Sequence, residues 1–288
     1  MRPYSTCRAD GNAAGRRAWS RWLVCGVLSC MLFSGCRSAK RDSDPTAGGT
    51  AGEERVFNIG NGVELEFRWI PAGEFVMGSP PDEPGRGADE NQVPLKVPKG
   101  YWIAATETTS ATWQRIMGTP AGKPPSTSQK PVVRVSWYDC REFLKKLKSP
   151  AEGWKFELPS EVEWEYACRA GSRAAYPRRP ADVGWLDMNS GGFRHPVGTK
   201  APNAWSVRDM HGNVAEWCRD AVGPGGTEYA IRGGSWDSDL NARAAARNSD
   251  TPFLKINRVG FRIVLIRADS PKPTVLSTVN KFQTSLSP

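Results

Sequence analysis

No cysteine follows Cys218 in this chain of 288 residues, and His195 and His211 are its only histidines. The first absence leaves the C-terminal part of the chain without a thiolate, the ligand that suits a soft copper(I) ion. The second excludes an iron site built on three histidines within this chain. There is no C-x-x-C, and the cysteine spacings fit neither a zinc site nor a redox motif. No run of Lys and Arg is interleaved with aromatics as a phosphate track would require. The formal charge of +9 falls to about +5 once residues 1–35 are set aside, because five arginines face only Asp10 there. That balance is too mild and too scattered for nucleic acid. No apolar run is long enough to span a bilayer, which takes about 20 residues. Gly 29, Pro 23 and Trp 12 are abundant instead. Many turns and loops are expected, with large rigid rings burying area where regular elements are few; sugar-stacking tryptophans are the sharper alternative.

Arg16, Arg17 and Arg21 precede an apolar run from Trp22 to Phe33, the pattern of an export signal. The run ends in Phe33-Ser34-Gly35-Cys36, which resembles the lipobox of bacterial lipoproteins, with Phe33 in place of the more usual leucine. The resemblance implies lipid on Cys36, a signal peptide over 1–35 and a cell-envelope location on the periplasmic or extracellular face. Residues 36–55 are rich in Ser, Gly and charge and read as a flexible tether. Residues 268–288, with Pro271 and Pro273, read as a disordered tail.

Between these lies one domain, expected over 56–267, with strands around Val63–Phe67, Phe75–Gly78, Tyr101–Ile103 and Val259–Ile266. Three helices are marked by their starts. Ser110 is expected to cap Ala111–Met117. Ser136 with Asp139, and Ser160 with Glu163, have the spacing of capping boxes, and Gly171 stands where a terminating glycine belongs. Trp137, Cys140, Phe143, Leu144 and Leu147 fall on one helical stripe. Glu161, Glu163 and Glu165 crowd the first turn of the third helix and read as solvated dipole-compensating acids. Cys140, Cys168 and Cys218 are odd in number, so one disulfide at most can form, and they read as small buried apolar residues. The pattern is α+β with low regular content.

Several blocks carry a family resemblance: Ile70 to Ser79, Thr106-Glu107-Thr108-Thr109, Val135 to Cys140, Leu158 to Ala167, Asp209 to Trp217, Arg232-Gly233-Gly234-Ser235-Trp236 and Gly260-Phe261-Arg262. Their order over about residues 56–267 resembles the formylglycine-generating enzyme (sulfatase-modifying factor) family. That resemblance implies a C-type-lectin-like α+β fold. It also implies calcium on Asp209, Glu216 and the carbonyls of Gly212 and Val214, although spacing alone favours a hydrogen-bonded turn without metal. Family members oxidise a peptide cysteine with copper held by two cysteines after the Gly-Gly-Ser strand. Here Ser238 falls on the first of those positions and the second has no counterpart, so copper is not expected.

The resulting expectation is a lipid-anchored, calcium-stabilised binding or scaffold module without catalytic residues. Its partner would be an exported peptide, protein or glycan, held in a groove lined by Arg232, Ser235, Trp236 and Ser238. A formylglycine-generating or related oxidase is the alternative. Arg232 and Arg262 have a simpler reading as core arginines fixing strand ends. A nucleophile–base pair of Ser238 with His211 lacks an orienting acid at any known spacing.

Overall fold

The computed structural model describes residues 46–118 and 127–276. Cys36, the export signal and the first half of the proposed tether lie outside the described residues. In chain order the elements are β1 Glu54–Gly60, β2 Val63–Ile70, β3 Gly73–Met77, β4 Val93–Val97, β5 Tyr101–Ala104, α1 Ser110–Met117, α2 Trp137–Lys145 and β6 Trp154–Glu157. There follow α3 Glu161–Arg169, α4 Pro180–Val183, β7 Gly184–Trp185, α5 Asp187–Ser190, β8 His211–Gly212, β9 Ala215–Val222, β10 Glu228–Arg232, β11 Arg247–Asp250, β12 Val259–Gly260, β13 Val264–Arg267 and β14 Thr274–Val275.

An antiparallel sheet in the order β1-β2-β5-β13-β6 divides the interior. Side chains alternate across a strand, and here both faces are covered. Trp102 and Leu265 enter one apolar cluster with Phe67, Phe143, Trp217 and Phe261. Tyr101, Ile103, Val264 and Ile266 enter the other, with Trp164, Cys168 and Cys218. The tryptophans serve this packing: Trp102, Trp164 and Trp217 are fully buried. Truncating one such ring to alanine costs about 3–5 kcal/mol. A second sheet, β11-β10-β9-β12, carries the candidate site, and β14-β4-β3 and β7-β8 complete the set.

Both capping boxes form. The Ser136 and Ser160 hydroxyls accept from the Asp139 and Glu163 amides at 3.1 Å, and each acid accepts from the cap amide in return. The first helix starts one residue before the expected boundary, because Thr109 rather than Ser110 supplies the cap. The third ends on Ala170 in the left-handed region, one residue before Gly171. The three cysteines of the domain are buried and free, as small apolar residues.

Three expectations change. The ordered domain begins inside the proposed 36–55 tether: Trp102 Nε1 donates to the Thr46 carbonyl at 2.8 Å, Gly48 lies against the Trp69 ring, and Gly52 N donates to the Trp69 carbonyl. It also continues past residue 267, since β14 pairs with β4 and Leu276 N donates to the Pro94 carbonyl. Composition marked these stretches as unable to form a core, but they need only dock on one. Finally, Glu161, Glu163 and Glu165 are buried rather than solvated. Glu165 accepts from Arg232, Arg169 and the Gly78 amide, Glu161 pairs with Arg247, and Glu163 with Arg219. A buried carboxylate survives only with such partners.

Candidate functional site

The loop from Asp209 to Asn213 takes three left-handed conformations, at Asp209, Gly212 and Asn213. Asp and Asn tolerate that region through local hydrogen bonds. Gly212 is required, because a Cβ there would lie 2.1 Å from the Trp185 carbonyl oxygen across the β7–β8 bridge.

This loop builds a buried charge cluster around Arg262. Glu216 accepts from Arg262 Nε and Nη2 through its two oxygens at 2.6 Å each, and from Trp164 Nε1 at 2.7 Å. Arg262 Nη2 also donates to the Asp209 carbonyl. The Asp209 carboxylate accepts from the Gly198 amide at Oδ2, while its Oδ1 is buried without a partner. Glu107 accepts from Asn213 Nδ2 and the Val214 amide at 3.3 Å. Three carboxylates thus surround one guanidinium. Burial raises the Glu107 carboxyl well above its ordinary value, and the charges on Asp209 and Glu216 add to the rise; burial raises Asp209 as well.

Placed against the expected calcium quartet, Glu216 is the ion-pair partner of Arg262, and Asp209 alone presents an open carboxylate oxygen. Glu107 and Asp209 lie within hydrogen-bond reach of each other, and burial favours a proton on this pair; Asp209 Oδ1, which no N–H or hydroxyl approaches, fits a divalent cation in place of that proton. Among the described residues no three side chains of His, Cys, Asp or Glu are disposed as a metal cluster. Such an ion would therefore depend on backbone carbonyls, which calcium accepts among its six to eight oxygens.

Of the four residues expected to line a groove, Ser235 and Ser238 border a cavity, and Arg232 and Trp236 do not. A cavity of about 490 Å³ opens beside β10 and β11, with Ser235, Asp237, Ser238, Asn248 and Arg258 among its walls. Arg232 does not reach it. Alternation along β10 turns Ile231 to the cavity and Arg232 to the opposite face, where Arg232 is fully buried on Glu165 at 2.6 Å. Trp236 does not line it either: the Ser190 hydroxyl holds its carbonyl and the Asn213 carbonyl holds its amide. Ser235 and Ser238 form a closed turn, in which Ser235 N donates to Ser238 Oγ at 2.9 Å and Ser238 N to the Ser235 carbonyl. Ser235 Oγ donates to Asp237, which Arg258 also holds at 3.0 Å. Burial works to raise the Asp237 carboxyl, but these two donors bring it below the usual range. The floor is therefore neutral hydroxyl and fixed carboxylate. On its flank Leu254 lines the cavity, and the exposed ring of Phe253 packs on Tyr138 with centroids 5.1 Å apart.

None of the domain's cysteines lines this cavity. Cys168 lies 3.5 Å from His211 Nε2, and His211 Nδ1 lies 2.7 Å from the Ala242 carbonyl. Nδ1 must carry the proton to make that bond, so Nε2 is the acceptor facing the thiol. Burial pushes the thiol to about 12 and the imidazole down to about 4, and both are neutral at pH 7. His211 is consequently spent in the core, and no Ser238–His211 pair forms. The buried acids of α3 and the Glu107–Arg262 link were missed in the sequence. The signal for the second lay in the Glu107 and Arg262 blocks, each of which sets one charge in a short connection beside a strand.

Comparison with known proteins accords with this geometry. The chain is 33% identical over 202 residues to a formylglycine-generating enzyme of Streptomyces coelicolor, covering 56% of this chain and 60% of that protein. It is 30% identical over 192 residues to the inactive C-alpha-formylglycine-generating enzyme 2 of Mus musculus, covering 58% and 55%. The chain thus spans under two thirds of the length of these two relatives. The structure of PvdO from Pseudomonas aeruginosa superposes with a TM-score of 0.65 at 27% identity, over 76% of this chain and 99% of that one. The fold is C-type-lectin-like. The model of the sulfatase-modifying factor enzyme 1-like domain matches residues 63–267, and with the ordered motifs and the groove now in view, the chain belongs to that family.

Proposed function

We propose that this domain is an exported binding module that holds a peptide segment in the Ser235–Ser238 groove without oxidising it. The observation that carries the proposal is the groove's own chemistry. Ser238 accepts from a backbone amide where the family's oxidases place a thiolate, and no cysteine lines the cavity. A neutral hard hydroxyl does not hold copper(I). The polar floor with the exposed Tyr138–Phe253 pair beside it suits an extended peptide, whose backbone finds Ser238 and Asn248 while an apolar side chain meets the rings. The presence of a protein named as inactive among the relatives is consistent with this reading.

Calcium at Asp209 is part of the proposal. It would bind the Asp209 carboxylate in place of the proton that burial favours there, and so stabilise the loop that supports the groove through the Asn213–Trp236 bond. Lipid on Cys36 is the other part. Thr46 is already held by Trp102, so nine residues lie between the anchor and the domain. Such a spacer reaches at most about 35 Å, which keeps the groove near the envelope surface. No described helix is long and apolar enough to cross a membrane.

The test is a copper titration of the purified domain under reducing conditions, with oxygen uptake followed in the presence of a cysteine-containing peptide. No stoichiometric copper and no uptake are expected. One tightly bound copper per chain with peptide-dependent uptake would overturn the proposal and restore the oxidase reading.

A further inference from the structure

A second cavity, of about 480 Å³, lies between β3, the C-terminal half of α3 and the chain around Trp205. Its volume is in the range of ligand sites. Three aromatic rings line it. Tyr166 stands against Trp205 with centroids 4.9 Å apart and planes at 75°, and against Phe75 at 5.0 Å. Pro94 and Leu276 add aliphatic surface. Gly73, beside this wall, makes room for the end of the tyrosine: a Cβ there would lie 2.2 Å from the Tyr166 hydroxyl.

Two of these rings carry a polar group that the protein leaves unused. Tyr166 is 6% exposed, yet its hydroxyl makes no hydrogen bond among the described residues. The other buried tyrosine, Tyr101, gives its hydroxyl to the Glu163 carbonyl at 2.6 Å, which is the usual state of a buried phenol. Trp205 is half-buried, and its Nε1–H has no acceptor among the described residues. The Thr108 hydroxyl is also unpartnered but is sealed from solvent, whereas these two groups keep accessible surface. The remaining polar groups of the wall are engaged. Arg169 donates to Glu165 and to the Gly78 carbonyl, and the Ser172 hydroxyl accepts from the Ala174 amide. The one carboxylate of the lining, Glu74, is exposed and lies 3.8 Å from Lys96. The cavity therefore presents apolar rings and open donors.

From this we infer that the cavity binds a proline-rich segment of a partner peptide, with pyrrolidine rings against Tyr166 and Trp205 and backbone carbonyls on the Tyr166 hydroxyl and the Trp205 Nε1–H. Indole N–H only donates, so the ligand must bring acceptors. Proline has no N–H, and a polyproline II chain makes no internal hydrogen bonds, so it brings carbonyl acceptors with no donors of its own to satisfy. Its extended helix is formed before binding, which is why aromatic-lined grooves suit it. A sugar would also stack on the rings, but its hydroxyls donate as well as accept and would find few open acceptors here. A quaternary ammonium would suit the ring faces but would leave both donors unused. The inference does not rest on the Ser235–Ser238 groove, and the two cavities share no residue.

The test is an NMR titration of the whole protein labelled with nitrogen-15, followed on the Trp205 indole N–H signal, which Trp205→Phe identifies by its loss. The probes are decaproline, a glycine–serine decamer, maltose and choline. Decaproline is expected to move the signal saturably, and the other three to leave it in place. Tyr166→Phe removes only a hydroxyl that no described residue uses. It should keep the thermal midpoint while weakening decaproline about two- to ten-fold, the range of one hydrogen bond. Trp205→Phe, which keeps a ring and removes the N–H, should weaken it by a similar factor or more in calorimetry. No saturable shift with decaproline, an equal shift with any of the other probes, or unchanged affinity in the two phenylalanine variants would each overturn the inference.

Discussion

Arg243 offers the sharpest test of how the groove is held. Its side chain is 2% exposed, and it gives Nη1 to Glu83 and Glu90, Nη2 to Glu90 at 2.7 Å and to the Gly85 carbonyl, and Nε to the Leu240 carbonyl at 2.9 Å. It thereby fastens the loop between β3 and β4 to the turn after Ser238. Replacing Arg243 by Met keeps the volume but leaves two buried carboxylates without a cation. Losing one partner of a buried pair costs about 3–5 kcal/mol, a large part of the 5–15 kcal/mol typical of a folded domain. A pH signature should accompany it. Burial acts to raise the Glu90 carboxyl, but Arg243, Ser79 and the Gly87 amide outweigh it and bring it to about 2. A carboxyl held below its unfolded value of 4.5 contributes stability that is complete above that value and disappears as pH falls toward 2. At about 1.4 kcal/mol per unit, and with allowance for screening, the contribution is roughly 2–3 kcal/mol. Urea unfolding from pH 2 to 7 would measure both effects. The difference between wild type and Arg243→Met should be about 3–5 kcal/mol at pH 7 and should shrink across pH 4.5 to 2. A loss under about 1 kcal/mol at pH 7, or parallel acid profiles, would refute the reasoning.

Other perturbations test separate parts of the structure. Arg232→Met should destabilise the domain by about 3–5 kcal/mol in urea unfolding, because Glu165 is fully buried and loses one of its two arginine partners; a groove role alone would leave stability near wild type. Gly212→Ala should cost about 2 kcal/mol or more, from the positive φ and the close Trp185 carbonyl, measured as a shift in the urea midpoint. Added calcium should raise the thermal midpoint of the wild-type domain, and Asp209→Ala should abolish the rise; an equal rise in both would place the ion elsewhere. The thiols of Cys140, Cys168 and Cys218 should resist a thiol reagent in the native protein and react together in urea, since all are buried and burial raises each above its ordinary value.

The sequence by itself determined what depends on neighbours a few residues apart. The two capping boxes at Ser136 and Ser160, the buried stripe of α2 and the strands at Val63 and Tyr101 rest on spacings of two to four residues. Local hydrogen bonding and alternation enforce these whatever the rest of the chain does. The want of a thiol after Cys218 was equally legible, because composition needs no fold. Tertiary structure decided the rest. Glu161 and Glu165 look like any solvated acids at a helix start until Arg247 and Arg232, 86 and 67 residues away, are folded onto them. Arg232 sits in a groove motif, but the pleat of β10 sends its side chain to the far side of the strand. The clamp between Glu90 and Arg243 spans 153 residues, and the unpartnered hydroxyl of Thr108 is defined only by what fails to approach it. A charge in the sequence has a sign, but its energy depends on the solvent removed from it and the partner supplied, and both are properties of the assembled fold.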